Sequence, residues 1–399
     1  MKNLRILVLA PDLPYPGKAG GQMRMSSIIS ALAKYGKVHV ACIAQKIPEA
    51  TSEWMKRLDG TVVCFEKKAT GCRQLFISRI QMLVTGHNLV RRHDEQEFFD
   101  RQFQEFKPDI VWLETPYLLR YAFKWRKFTP VAVDYWGTSE GAERQYKNSK
   151  GLNCVWHWLR WRIAFNGERK FAPLADGIVT VSMRDTDFFR RISPDSMIFH
   201  VPMGILNTRH VETAGQDSED SNQTIMTGDM SFEPNVDAVC YFVHEILPRI
   251  RKDIPEARFV IAGRSPSLRV CDLAMVPNVE VTGYLPDLSA VIARSAIYVL
   301  PMRLGSGVRT KLLEIFLLGK PIVSTTVGVE GFDLENGVNC LIADSPDDFA
   351  RACTSLLRDS ARRRELGESA KRLVAEVYAQ DKTEDSVGKV LTALVGQKK

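Results

Sequence analysis

One alternation runs through this chain and constrains its fold more than any other feature. Short apolar runs rich in β-branched residues end in turn residues, and a longer amphipathic segment follows most of them. In the first half the runs fall at 6–10, 38–43, 61–65, 110–113, 131–133, 178–181 and 198–201. In the second half they fall at 224–227, 258–262, 279–282, 297–300, 321–325 and 340–342. Runs so continuously apolar suit strands buried on both faces, as in a parallel sheet covered by helices. The alternation stops between 206 and 224, where Asn207, Thr208, Gly215, Asp217, Ser218, Glu219, Asp220, Ser221 and Asn222 leave almost nothing to bury. The pattern therefore predicts an α/β protein of two doubly wound domains, at 1–206 and 224–375, joined by a linker at 207–223. Residues 376–399 are expected to form a C-terminal helix that can pack back on the first domain.

The bulk numbers agree with two cores. At 399 residues the chain exceeds what one hydrophobic core organises, and its 45% hydrophobic and 25% charged content is that of a globular protein. The formal charge of +7 favours anionic partners such as nucleotides, phosphates or an acidic membrane face. Basic residues are spread along the chain rather than gathered in a stripe, which argues against nucleic acid. The eight cysteines show no spacing of a zinc or redox motif, several lie in apolar runs, and most are expected to be reduced core residues. The apolar run at 6–10 is too short for a signal peptide, and no run approaches the ~20 apolar residues of a membrane span. The expected location is the cytoplasm.

Doubly wound sheets bind ligands beyond the carboxyl ends of their strands, and two of them in one chain make a cleft between domains the expected site. Pro301-Met-Arg-Leu-Gly-Ser-Gly-Val-Arg-Thr-Lys-Leu-Leu-Glu314 begins where the strand at 297–300 ends. Gly305 and Gly307 allow close backbone approach, a helix is expected from about Val308, and amides of its first turn would face an anion. Arg303, Arg309 and Lys311 add three cations, a pattern that fits a diphosphate. Along the helix Leu312, Leu313, Phe316 and Leu317 share one face, while Lys311 and Glu314 lie opposite, one turn apart. Those two either line a cleft or form a surface salt bridge.

Over about 224–350 the chain resembles the family 4 glycosyltransferases, of the glycosyl transferases group 1. The resemblance rests on this segment and on Gly319-Lys-Pro-Ile-Val-Ser-Thr-Thr-Val-Gly-Val-Glu-Gly331. It implies the GT-B fold, two Rossmann-like domains facing a central cleft, and a donor site at this loop and helix, with Glu314 on the ribose hydroxyls. Many members carry a second glutamate facing the sugar eight residues earlier, where this chain has Ser306. Many also carry an arginine and a lysine after the first strand of this domain, where Gly228-Asp-Met-Ser-Phe-Glu-Pro-Asn-Val-Asp237 has no cation. Arg303, Arg309 and Lys311 are accordingly expected to neutralise the diphosphate. The Gly-Ser-Gly-Val-Arg-Thr-Lys form looks most like bacterial exopolysaccharide sugar transferases, including those found with exosortase systems.

Elsewhere the candidates are weaker. Gly20 and Gly21 precede a helix after the first strand and, by the resemblance, bring amides to the donor phosphate, although a glycine pair here can equally form a plain turn. Arg24, one helical turn on, faces the cleft or the solvent. The resemblance makes Asp134 a candidate for orienting or deprotonating an acceptor hydroxyl, and Glu114 has a similar position; a helix cap or loop carboxylate is the alternative. Arg264 follows another strand end, and by the resemblance Tyr284 and Leu285 neighbour the nucleotide base. Trp156-His-Trp-Leu-Arg-Trp-Arg-Ile-Ala-Phe165 suits either an anionic membrane surface or a helix packed on the sheet.

The expected activity is metal-independent, retaining transfer of a hexose-like sugar from a UDP- or GDP-sugar to a glycan or lipid-linked acceptor hydroxyl at the cytoplasmic membrane face. No cofactor or metal is expected beyond the nucleotide sugar as co-substrate. A non-catalytic scaffold subunit of a polysaccharide assembly complex and a sugar-nucleotide epimerase on the same fold are the alternatives.

Overall fold

The computed structural model of the chain describes residues 3–15, 20–66, 93–147, 149, 151–206, 219–305 and 307–396. It divides into two compact units, one formed by 1–206 with 378–399 and the other by 207–377.

The first unit is built on a seven-stranded sheet of β1 (Leu4–Ala10), β2 (Gly36–Ala44), β3 (Thr61–Glu66), β4 (Ile110–Leu113), β5 (Val131–Tyr135), β6 (Gly177–Thr180) and β7 (Ile198–His200), in the order β3-β2-β1-β4-β5-β6-β7. Every pairing is parallel. β1 from Ile6, β4, and β5 as far as Val133 are continuously apolar because helices cover both faces, and Ile6, Leu7, Val8 and Leu9 are all fully buried. Side chains alternate between two cores, with Ile6 and Val8 in one and Leu7 and Leu9 in the other.

The first of those cores is completed from the far end of the sequence. In the C-terminal helix Gln380–Gly396, Val387, Val390, Leu391 and Leu394 pack in the cluster that holds Ile28, Ile29 and Leu32 of the helix Gly20–Leu32. Polar bonds fix the pairing. Ser27 Oγ donates to Gln380 Oε1 at 2.8 Å, Gln380 Nε2 donates back to the Ser27 carbonyl at 2.8 Å, and the Tyr35 hydroxyl donates to the Glu384 carbonyl at 3.0 Å.

The second unit carries six parallel strands, β8 (Asp220–Thr227), β9 (Arg258–Ala262), β10 (Val279–Gly283), β11 (Ser295–Leu300), β12 (Ile322–Ser324) and β13 (Leu341–Ile342), ordered β10-β9-β8-β11-β12-β13. Each apolar run read from the sequence is a strand. The polar stretch assigned to a linker is shorter than expected at its end, since β8 begins at Asp220 and pairs Asp220 with Ser295 and Gln223 with Arg258. Ladder bonds use backbone only, so polar side chains do not stop a strand whose start is anchored. Glu219 supplies that anchor, accepting from Arg363 Nη2 at 2.7 Å and from Lys320 Nζ at 3.2 Å. Residues 207–218 of the expected linker lie outside the described residues.

Both sheets reverse their strand order once, between β1 and β4 and between β8 and β11. Those two switch points are where such sheets receive ligands. Of the cysteines, Cys42, Cys340 and Cys353 are buried, Cys64, Cys154 and Cys240 half-buried and Cys271 exposed, so fewer of the described ones are fully buried than the expected majority; Cys72 lies outside the described residues.

Candidate functional site

In the second unit the loop after β11 leaves the switch point and is held at its stem by the end of β12. Ser324 Oγ donates to the Leu300 carbonyl at 3.1 Å and Thr325 Oγ1 to the Met302 carbonyl at 2.5 Å. Gly305 and Gly307 have φ of +100° and +80°, the left-handed region that glycine occupies without strain. The helix that follows spans Lys311–Leu317, so it starts three residues later than about Val308, where it was expected. The glycines and the turn bonds Thr310 N to Val308 O and Leu312 N to Arg309 O use up the intervening chain. Val308 and Arg309 are therefore loop residues, and no helical turn places their amides.

The helix itself has the predicted faces. Leu312, Leu313, Ile315, Phe316 and Leu317 are buried, Lys311 is half-buried, and Glu314 is exposed. The three expected phosphate cations differ in setting. Arg303 forms a forked pair with Asp237, Nη2 at 2.6 Å and Nε at 3.1 Å, and its guanidinium lies 4.2 Å from the centroid of the Tyr241 ring. Arg309 turns back on its own loop, donating to the carbonyls of Gly307 at 2.9 Å and Leu304 at 3.4 Å. It closes the loop rather than projecting from it. Ser306 lies outside the described residues.

The loop after β8, read as lacking any cation, receives one from the neighbouring strand. Gly263, at the end of β9, runs so close to Gly228 that a Cβ on it would lie 1.7 Å from the Gly228 carbonyl oxygen, and Met230 N donates to the Arg264 carbonyl at 2.9 Å. This contact puts the Arg264 Nε 2.9 Å from Asp229 Oδ2. Asp229 is held below the usual carboxylate range, first by the hydrogen bond from the Ser231 hydroxyl. Local spacing gave no sign of Asp229 and Asp237 as the holders of two arginines; the acidic residues of 228–237 in a cation-rich neighbourhood were the available signal. Tyr284 and Leu285 follow β10, the first exposed and the second half-buried.

The first unit corrects two expectations. Asp134 has no exposed surface, and its carboxylate accepts from Arg24 Nε at 2.9 Å, from Arg24 Nη2 at 3.0 Å and from the Trp136 indole at 3.2 Å. A carboxylate so enclosed cannot take an acceptor's proton, which overturns its candidacy as a base. Arg24 faces neither a cleft nor solvent. It is buried, and its Nη1 donates to the Pro202 carbonyl at 2.8 Å. Gly20 and Gly21, expected just before the helix, are the first two residues of the helix Gly20–Leu32, and a Cβ on Gly21 would lie 2.5 Å from the Trp136 ring.

Comparison with known proteins agrees with this layout. Residues 221–359 match the model of the Glycosyl transferases group 1, a span that includes the β8 loop, the glycine loop and Glu314. A curated protein of Klebsiella pneumoniae, described as an uncharacterized 44.6 kDa protein in the cps region, is 22% identical over 174 residues, 41% of this chain and 45% of that relative. The match thus spans less than half the length of the relative. Among solved structures, Anabaena HepE in complex with UDP-glucose has a TM-score of 0.67 at 11% identity, over 98% of this chain and 100% of that one. Sucrose-phosphate synthase from Thermosynechococcus elongatus has a TM-score of 0.70 at 13% identity, over 98% and 99%. The chain thus has the GT-B fold of glycosyltransferase structures, and its second unit is similar in sequence to the glycosyl transferases group 1.

Proposed function

We propose that this protein is a retaining, metal-independent glycosyltransferase of the family 4 type that moves a sugar from a UDP- or GDP-sugar to an acceptor hydroxyl. The observation that carries the reading is Glu314, the exposed side chain of a helix whose apolar positions are buried, placed directly after a loop with two left-handed glycines at the switch point of the second sheet. A carboxylate there can accept from the two hydroxyls of a ribose. The matched family span and the UDP and UDP-glucose held by Anabaena HepE support a nucleotide sugar as donor.

Loss of the nucleotide diphosphate builds negative charge, and fixed donors stabilise it without reorganising. Arg264 and Arg303 are suited to this because each is aimed by an aspartate that uses only part of the five-donor guanidinium. Lys311 and the backbone amides around Gly305 and Gly307 supply the rest. Transfer with retention then proceeds by front-face attack on an oxocarbenium-like state.

The acceptor is proposed to be a glycan or lipid-linked sugar of an exopolysaccharide pathway of the exosortase-associated kind, met at an anionic membrane face. The helix Leu152–Phe171 supports this: Val155, Trp156 and Trp158 are exposed along with Arg160, Arg162, Arg169 and Lys170, while its one acidic residue, Glu168, is buried. No helix among the described residues is long and apolar enough to cross a membrane, so contact would be at the surface.

Calorimetric titration with UDP and GDP tests the donor site. Glu314→Ala should weaken binding of the preferred nucleotide by roughly tenfold or more, as expected for losing hydrogen bonds to a charged group. Unchanged affinity in that variant would remove the basis of the reading. Product analysis of the wild type with a panel of donor sugars separates transfer from epimerisation, and lack of any turnover would favour a scaffold.

A further inference from the structure

The buried cluster at the first switch point holds more carboxyl groups than its one guanidinium can balance. Glu114 directly follows β4, its backbone N–H bonded to the Leu9 carbonyl at 3.0 Å, and its side chain has no exposed surface. Neither of its carboxyl oxygens has a hydrogen-bond partner among the described residues. The charged groups that act on it are Asp134 from β5 and Arg24 from the helix Gly20–Leu32, and those two are already joined by a forked pair. With both carboxyls ionised the cluster would bury a net negative charge in which one carboxylate lacks any donor, a costly arrangement. With one proton on Glu114 the cluster is neutral and Arg24 keeps its forked pair with Asp134. Burial, with Asp134 adding to it and Arg24 opposing it, drives the Glu114 carboxyl in the same direction, well above the usual carboxylate range.

The cluster also reaches outward. Asp134 accepts the indole N–H of the half-buried Trp136, whose ring lies against Gly21 at the start of the helix. We propose that Glu114 is a positioning residue: as an uncharged acid it leaves Arg24 to Asp134 and so fixes Trp136 and the Gly20–Gly21 helix start at the switch point between β1 and β4. This rests on the glycosyltransferase reading, in which the Gly20–Gly21 amides would meet the donor phosphate. An ionised Glu114 would compete with Asp134 for Arg24, release the Trp136 indole and misplace that surface. Activity is therefore lost as pH rises through the ionisation of Glu114, not as it falls.

Two readouts test this, one independent of turnover. The Trp136 indole N–H resonance, assigned by its absence in Trp136→Phe, should move as pH rises in the wild type. In Glu114→Gln, a neutral isostere, it should stay fixed while the thermal midpoint confirms folding. In kinetics, Glu114→Leu should lower kcat/KM by roughly tenfold or more, Glu114→Gln should recover part of that loss, and the alkaline fall of the wild-type profile should vanish in Glu114→Gln. Glu168, whose burial pushes its carboxyl up to about 7, is the control: Glu168→Gln should leave the alkaline movement of Trp136 in place. An indole resonance that moves identically in the wild type and Glu114→Gln overturns the proposal. A wild type without turnover on any donor overturns the glycosyltransferase reading instead, and the resonance still decides the role of Glu114.

Discussion

Asp134 shows how burial changes what a residue can do. In the sequence it is a polar residue at a strand end, the position from which catalytic groups of doubly wound proteins project. In the fold it is half of an ion pair with side chains 3% and 0% exposed. A buried pair is dangerous to break on one side, because the remaining charge keeps its desolvation penalty and loses its partner. Arg24→Met should therefore cost about 3–5 kcal/mol in urea unfolding, and the double variant Arg24→Met with Asp134→Leu should regain much of it. A single-variant cost below about 1 kcal/mol would contradict the enclosed pair. The partners here are 110 residues apart, those of Arg303 and Arg264 are 66 and 35 apart, and no local spacing reports such pairs. That is why candidate residues could be picked out in the sequence while their partners could not.

At the scale of the element, strands were the most legible feature, since a parallel strand covered on both faces is apolar where it is buried and leaves an unbroken run there. Helix boundaries were less so. The helix after the glycine loop begins at Lys311 because left-handed glycines and tight turns, which depend on backbone angles, occupy the residues before it. In the helix Leu152–Phe171 one face packs inward, and the proposed membrane contact concerns its exposed residues. Trp161 stacks on Tyr146 with centroids 5.8 Å apart, and Phe165 meets Phe188 edge-on, so that side packs inward. Trp156 and Trp158, 53% and 44% exposed, are two residues apart and so lie on different sides of the helix, each with arginines near it in sequence. Indole rings at a headgroup interface gain apolar contact, and nearby arginines gain about 1 kcal/mol each at an anionic surface. Sedimentation with vesicles rich in phosphatidylglycerol should therefore retain the wild type at low salt. Replacing Trp156 and Trp158 together by Ala should lower that partitioning severalfold with little change in the thermal midpoint. Equal binding by the variant, or equal binding to neutral phosphatidylcholine vesicles, would rule out this helix as the contact.

The whole molecule is two units of the same winding, and the chain's two ends meet in one of them. Four side chains of the C-terminal helix, Val387, Val390, Leu391 and Leu394, are buried in the core that β1 and the helix Gly20–Leu32 build. At about 1.5–3 kcal/mol for each buried aliphatic side chain, they contribute roughly 6–12 kcal/mol. That is as large as the ~5–15 kcal/mol net stability of a typical domain. Removing 378–399 should therefore abolish the cooperative unfolding of the first unit, although the whole of 207–377 separates these residues from the rest of it in sequence. The second unit, continuous from 207 to 377, keeps its own core and the proposed nucleotide site. In the truncated protein UDP at one hundred times its Kd should still stabilise the remaining transition by about 2.7 kcal/mol. Calorimetry of the full chain and the truncated chain, each with and without UDP, separates the two effects. If truncation abolishes the response to UDP while the second unit still unfolds cooperatively, nucleotide binding requires the first unit, and the donor site cannot be complete in residues 207–377.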